Sequence, residues 1–99
     1  MNCYDYAIKF IYRTPKTEQD LRIKLFQKGY SSDEVAHTME ILKHKKYIDD
    51  EAFAQMYINS EVIRKGKPLV IVSQKLRQKG IEKELIKKVI RKNESDITE

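Results

Sequence analysis

Apolar residues recur at intervals of three and four along most of the chain, which is the spacing of one face of an α-helix. In the first half this pattern predicts three helices, at about residues 3–13, 17–28 and 31–46. Gly29 is expected to end the second helix, because glycine adopts the positive φ of a helix C-terminus without steric cost. The first half of the chain is therefore predicted to be a three-helix unit.

Two of these helices begin with a recognisable capping pattern. Thr17 and Asp20 lie three residues apart, and so do Ser31 and Glu34. A hydroxyl and a carboxylate at this spacing can satisfy the free backbone N–H groups of a first helical turn. The two pairs predict helix starts at these positions.

The second half repeats the same order of helices and breaks. Asp49 is a good N-cap for a fourth helix, and the sequence RKGKP at residues 64–68 predicts the break after it. Pro68 is expected at the first position of the fifth helix, and Gly80 is expected to end that helix. The sixth helix is predicted to reach about Lys92.

The repetition is also visible in the residues themselves. The phrase KLFQKGY at residues 24–30 returns as KLRQKGI at residues 75–81, a displacement of 51 residues. The matches concentrate at apolar and glycine positions, which indicates tandem structural units. The same displacement pairs three further identical residues: Tyr6 with Tyr57, Arg13 with Arg64, and Lys16 with Lys67.

These patterns predict an all-α fold with two tandem three-helix repeats of helix-turn-helix character and solenoid-like packing. The first repeat is predicted at residues 1–48 and the second at 49–93, followed by an acidic tail at 94–99. A unit of this size can bury only a modest core by itself. A neighbouring unit is therefore expected to cover its remaining apolar face.

Composition supports a charged helical protein. The chain has 99 residues, of which 40% are hydrophobic and 35% charged, with only three glycines and two prolines. Its single cysteine, Cys3, cannot form an intrachain disulfide, which favours a reducing compartment. No apolar run approaches the roughly 18 residues of a membrane span, and no signal peptide is recognised at the N-terminus. We expect a soluble cytoplasmic protein without a membrane partner.

The net charge of +5 is unevenly distributed, since residues 61–92 contain eleven Lys or Arg and three Asp or Glu. Such a surplus suggests an acidic partner, either nucleic acid or an acidic protein surface, although a solvated helix surface is an equally simple explanation. Candidate partner-binding residues lie on the second helix of each repeat and in the loop before the fifth helix: Arg22, Lys24, Lys28, Arg64, Lys65, Lys67, Lys75, Arg77 and Lys79.

Signals for catalysis are weak, and we expect neither an enzyme nor a bound cofactor, metal or small-molecule substrate. The carboxylates of YIDDEAF at residues 47–53 are explained by helix capping. His37 and His44 lie seven residues apart, whereas a chelating pair on a helix prefers three or four. Cys3 lacks an evident base, and KGK at residues 65–67 lacks the pattern of a phosphate-binding loop.

Six tyrosines among many lysines could stack on nucleobases. However, Tyr6, Tyr47 and Tyr57 lie beside predicted core positions. Their rings are therefore expected to pack against the protein rather than to serve as a stacking surface.

Three segments, taken together, resemble the RecX family of regulatory proteins. These segments are TEQDLRIKLFQKGY at residues 17–30, YIDDEAFAQMYI at residues 47–58 and RKGKPLVIVSQKLRQKGI at residues 64–81. The internal repeat agrees with the tandem three-helix units of that family. Its members usually carry at least three such units, whereas this sequence shows two, so we expect a shortened member or a fragment.

The resemblance implies a protein without catalytic activity that binds RecA filaments on DNA, lodges along the filament groove and limits recombinase, ATPase and coprotease activity. It would then act in recombination, DNA repair and the SOS response, with DNA contacted directly or through the filament. The family's basic binding faces would correspond to the candidate residues given above. A general basic helical module that binds DNA or RNA without RecA is the rival hypothesis.

Overall fold

A computed structural model describes residues 1–97, and within that range all regular secondary structure is helical. The all-α prediction is therefore confirmed. The chain forms two compact units, the first spanning Met1–Asp49 and the second beginning at Asp50. Three α-helices lie in each unit: α1 Cys3–Arg13, α2 Glu18–Gln27 and α3 Ser32–His44, then α4 Asp50–Ile58, α5 Leu69–Gln78 and α6 Lys83–Lys92.

The first unit buries one apolar cluster to which all three of its helices contribute. Ala7 comes from α1, Leu21 and Leu25 from α2, and Leu42 from α3, and each is fully buried. The α2 pair is spaced four residues apart, so both side chains lie on the same face of that helix. The rest of the cluster consists of Cys3, Val35, Met39 and Ile48.

The second unit builds its cluster in the same way. Leu76 lies on α5 at the position that Leu25 occupies on α2, and it is fully buried. Ile97 packs against this cluster from beyond α6. The predicted acidic tail, residues 94–99, therefore includes a short 3₁₀ helix at Glu94–Asp96 and a core contact, while residues 98–99 lie outside the described range. The buried members are Phe53, Ala54, Ile58, Val62, Val72, Leu76, Ile81, Ile86 and Val89.

Both predicted capping patterns are confirmed. The backbone N–H of Asp20 donates to the Thr17 hydroxyl at 3.1 Å, and that of Glu34 donates to the Ser31 hydroxyl at 3.2 Å. Each carboxylate in turn accepts from the backbone N–H of its capping residue. Two otherwise free donors are thus satisfied at the start of α2 and again at the start of α3.

The two glycines of the repeated phrase end their helices as predicted. Gly29 has a φ of 90° and Gly80 a φ of 88°. After Gly29, the N–H of Tyr30 donates to the carbonyl of Leu25 at 3.3 Å, and Ile81 makes the same bond to the carbonyl five residues before it. This is the Schellman arrangement, which satisfies carbonyls at the end of a helix.

Helix α3 ends in the same way without a glycine. Lys46 has a φ of 63°, and the N–H of the next residue, Tyr47, donates to the carbonyl of Leu42 at 2.9 Å. A lysine in this conformation carries a steric cost that glycine would avoid. The turn directs the following Ile48 into the core of the first unit.

Two features of the fourth and fifth helices differ from the sequence prediction. Helix α4 continues into a π-helical segment, Asn59–Arg64, which apolar spacing did not indicate. Pro68 has a ψ of 133° and precedes α5, so its predicted place as the first helical residue is wrong by one position. The extended ψ excludes Pro68 from the helix, which begins at Leu69.

Glu51 joins the first and last helices of the second unit. Its carboxylate accepts from Lys92 at 2.9 Å and from Lys88 at 3.0 Å. These two hydrogen bonds lower the pKa of Glu51 from 4.5 to about 2. The carboxylate therefore does more than place a negative charge in the first turn of α4.

Replacing Glu51 with glutamine is expected to lower the melting temperature by a few degrees at pH 7. The pKa of Glu51 is lower in the folded chain, so its stabilisation is fully present above pH 4.5 and is lost as the pH falls towards 2. Melting curves at pH 7, 4 and 2 should show the difference from wild type shrinking with acid. Glu84→Gln, at a highly exposed position, is the control, and an undiminished difference at pH 2 would contradict the prediction.

Candidate functional site

The candidate cations of the first unit lie along α2, and the aromatic rings of α1 position two of them. The Lys24 ammonium lies 5.8 Å from the centre of the Phe10 ring. Lys28, one turn further, lies 5.3 Å from the centre of the Tyr6 ring. Arg22 is exposed on another side of the helix. A cation over a ring face is attracted to it and keeps its full charge.

A pocket of about 520 Å³ is lined by α1, by the connection that follows it and by Lys24 of α2. Lys16 extends into this region from the connection between the helices, with its ammonium 4.8 Å from the centre of the Phe10 ring. It also donates a hydrogen bond to the hydroxyl of Thr14. The lining residues are Tyr6, Lys9, Phe10, Arg13, Thr14, Lys16 and Lys24.

Of the four cations in this pocket, only Lys24 is among the candidates that the sequence predicts. Arg13 and Lys16 stand out in the sequence only as matches between the repeats, and Lys9 has no identical counterpart in the second repeat. A signal did exist, because Tyr6, Lys9 and Arg13 follow one another at spacings of three and four on α1. It was weak because α1 carries no charge surplus comparable with that of the second half.

The cations of the loop before α5 are arranged differently. Lys67 contacts the Glu61 carboxylate at 2.7 Å, and Lys65 contacts it at 2.9 Å. The Glu61 side chain is only 12% exposed, and hydrogen bonds from Lys67 and Lys65 lower its pKa to about 2. Two of the three candidates in this loop therefore already have a carboxylate partner, whereas Arg64 is exposed at the end of the π-helical segment.

The π-helical backbone brings this group together. The N–H of Lys65 donates to the carbonyl of Ser60 at 3.2 Å, and that of Lys67 donates to the carbonyl of Glu61 at 2.9 Å. The wider turn and the following Gly66, with a φ of 73°, carry the chain back over Glu61. Such segments are frequent at functional sites.

The three candidates on α5 also differ from one another. Lys75 is exposed. Arg77 donates from Nη1 to the carbonyl of Ile81 at 3.4 Å, and the Lys79 ammonium lies 5.7 Å from the centre of the Phe53 ring. Lys75 and Arg77 are thus both exposed, but Arg77 also contacts the C-terminal turn of α5, and the partly buried Lys79 contacts the core.

Two of the three tyrosines predicted to pack do so. Tyr6 lies 6.1 Å from the Tyr30 ring, and Tyr57 stacks on Phe53 at 5.7 Å. The prediction is wrong for Tyr47, which is 54% exposed. The left-handed turn at Lys46 places the next core side chain at residue 48 and leaves the ring of Tyr47 outside.

Three observations concern other residue types and the helices of the described part of the chain. Among residues 1–97, no group of three or more His, Cys, Asp or Glu side chains is placed to hold a metal ion. Cys3 is buried in the first core. Within the same range, no helix has both the length and the apolar character needed to cross a membrane.

Comparison with known families agrees with the two-unit architecture. The family description "RecX, first three-helix domain" matches residues 3–42. The description "RecX, second three-helix domain" matches residues 49–90. The first match falls within the first compact unit, and the second begins at Asp49, the last residue of that unit, and otherwise falls within the second.

Known proteins similar to this chain bear the same family name. Regulatory protein RecX of Clostridium tetani (strain Massachusetts / E88) is 35% identical over 87% of the chain, which corresponds to 39% of that relative. The Haemophilus influenzae (strain PittEE) protein of the same name is 30% identical over 94% of the chain and 61% of its own length. The chain thus spans about two fifths of its clostridial relative.

A solved structure gives the same result at the level of the fold. A crystal structure of regulatory protein RecX superimposes with a TM-score of 0.85 and 27% sequence identity, covering 92% of this chain and 46% of the other. Family matches in both units, named relatives and a shared fold agree with one another. The chain belongs to the RecX family.

Proposed function

We propose that this chain is a regulator without catalytic activity that binds RecA filaments on DNA and limits RecA activity. Membership of a family of regulatory proteins is the observation that carries this proposal. The family resemblance supplies RecA as the partner. In this setting the protein acts in the cytoplasm, in recombination and DNA repair, and needs no cofactor.

Exposed cations on both units support contact with an acidic surface. Arg22 in the first unit and Arg64 and Lys75 in the second are exposed to solvent. A RecA–DNA filament offers acidic side chains and phosphates together, so the contact should have an electrostatic part that salt weakens. Salt dependence is expected for bare DNA too, and therefore cannot identify the partner.

The deciding experiment compares single-stranded DNA alone with the RecA–DNA filament. We expect weak binding to the bare strand, clearly tighter binding to the filament, and slower ATP hydrolysis by RecA. The double variant Arg64→Gln, Lys75→Gln should bind the filament roughly tenfold more weakly, because charges of this kind steer association and set register. The matched control is Lys83→Gln, Arg91→Gln, which removes the same charges from exposed positions on α6.

A general nucleic-acid-binding module is the second candidate, and the surplus of basic residues at 61–92 is the observation that favours it. It predicts equal affinity for bare DNA and for the filament, with RecA turnover unchanged. That result would refute the RecA proposal. Loss of filament binding in the α6 control to the same extent as in the test variant would refute the assignment to Arg64 and Lys75.

A further inference from the structure

The two repeats differ in charge at one equivalent position. Under the displacement of 51 residues, Phe10 of the first unit corresponds to Glu61 of the second. The lysine that contacts each of them is also equivalent, Lys16 in the first unit and Lys67 in the second. One repeat thus places an aromatic ring where the other places a carboxylate.

The difference between Phe10 and Glu61 determines whether the neighbouring lysines have their charge neutralised. In the second unit, Glu61 lies within 2.9 Å of two lysines and forms an ion pair with each. In the first unit, Lys16 and Lys24 lie 4.8 and 5.8 Å from the centre of the Phe10 ring. The ring attracts both ammonium groups but cancels neither charge, so two cations are held near each other without an anion between them.

The surroundings of these two lysines add positive charge. Lys9 and Arg13 of α1 line the same pocket and are exposed, and no acidic residue is among the described residues that line it. The faces of the aromatic rings are partly occupied by cations: Phe10 by Lys16 and Lys24, and Tyr6 by Lys28. The pocket is therefore suited to a compact anion rather than to a stacked base.

We propose that the pocket between α1 and α2 is a phosphate-binding site. Its volume of about 520 Å³ is within the usual range for a small-ligand site, and its four cations suit a ligand with several anionic oxygens. Phosphate oxygens can bridge two ammonium groups and also accept paired hydrogen bonds from Arg13. A single carboxylate would neutralise less of this charge.

Two sources can supply these oxygens: the backbone of a single-stranded nucleic acid, or the polyphosphate of a free nucleotide. The same cations serve either one. The inference goes beyond the proposed function and does not depend on it, because phosphate binding is measured on the chain alone, without RecA.

The first test measures binding of a fluorescent single-stranded oligonucleotide at several low salt concentrations. The double variant Lys9→Gln, Arg13→Gln removes two exposed cations that line the pocket. The control double variant Lys83→Gln, Arg91→Gln removes one lysine and one arginine from exposed positions outside the pocket. We expect the pocket variant to bind about tenfold more weakly than the control. If the strand occupies the pocket, two lost contacts should also reduce the slope of log affinity against log salt by roughly 1.4. Equal affinities for both variants would overturn the proposal.

The second test uses the natural difference between the repeats. Phe10→Glu and Phe10→Gln both remove the ring and differ by one charge, so a defect in packing should affect both alike. We expect Phe10→Glu to bind the fluorescent oligonucleotide about tenfold more weakly than Phe10→Gln does. The reason is that the new carboxylate would pair with Lys16 as Glu61 pairs with Lys67. Equal binding by these two variants would refute the role of the uncancelled charge.

Competition with pyrophosphate and with an acidic peptide of equal charge completes the design. Displacement of the oligonucleotide by pyrophosphate at micromolar concentration would assign the pocket to free polyphosphates. Displacement only at millimolar concentration would assign it to the strand backbone, and both results support a phosphate site. An acidic peptide that competes as well as pyrophosphate would contradict the preference for phosphate. Failure to slow RecA would refute the proposed function and leave this result unaffected.

Discussion

Leu76→Ala is expected to lower the free energy of unfolding of the second unit by about 2–5 kcal/mol. Leu76 is fully buried on α5, where it belongs to the core cluster that joins α4, α5 and α6. Truncation removes apolar contacts and leaves a cavity that closely packed neighbours can only partly fill. Urea denaturation followed by circular dichroism should show the loss.

Val70→Ala on the same helix is the matched control, because Val70 is 62% exposed. Substitutions at such positions usually change stability by no more than ~0.5 kcal/mol. Comparable losses for the two variants would mean that Leu76 does not lie on the buried face of α5. The equivalent change in the first unit, Leu25→Ala, should destabilise that unit by a similar amount, since Leu25 is also fully buried.

Gly80→Val is expected to lower the free energy of unfolding by about 1–3 kcal/mol. Gly80 has a φ of 88°, a conformation in which a β-branched side chain collides with its own backbone. Relief of this strain would require breaking the hydrogen bond from Ile81 to Leu76 that ends α5. Because both of these residues are fully buried, local unwinding would also disturb the core.

Two controls separate this backbone effect from a simple increase in size. Lys83→Ala changes an exposed position shortly after the turn and should leave the melting temperature nearly unchanged. Gly80→Asn adds a side chain that tolerates positive φ better than valine does, so it should destabilise less. Equal melting temperatures for the valine variant and wild type would contradict the left-handed conformation at Gly80.

Local signals were sufficient to predict most of the helix starts and stops. The hydroxyl–carboxylate pairs at Thr17 and Ser31 identify helix starts because the partners lie three residues apart and need no tertiary contact. Gly29 and Gly80 identify helix ends because few other residues adopt their φ readily. Helix α3 ends at His44, two residues before the predicted end, because the left-handed turn that follows it uses Lys46, and a lysine gives no such conformational signal.

The candidate site was less predictable because it depends on packing between elements. The sequence located Lys65 and Lys67 but not their shared partner, since the contact between Lys67 and Glu61 requires the π-helical turn between them. The pocket on the first unit depends on the packing of α1 against α2, which brings Lys24 to Phe10 across fourteen positions of sequence. The surplus of positive charge identifies residues 61–92 as a basic segment. It gives no indication of the pocket between α1 and α2, because the first unit has no such surplus.

The separate cores also affect how the chain folds during synthesis. The first cluster uses side chains from Cys3 to Ile48 only, and its three helices follow one another along the chain. Helical units with such local contacts fold in microseconds to milliseconds, whereas a ribosome adds roughly 5–20 residues per second. Synthesis of a further ~50 residues for the second unit therefore takes seconds. We therefore expect the first unit to fold while the second is still being translated, and this order should limit mispairing between two sequences that share the same repeated phrase.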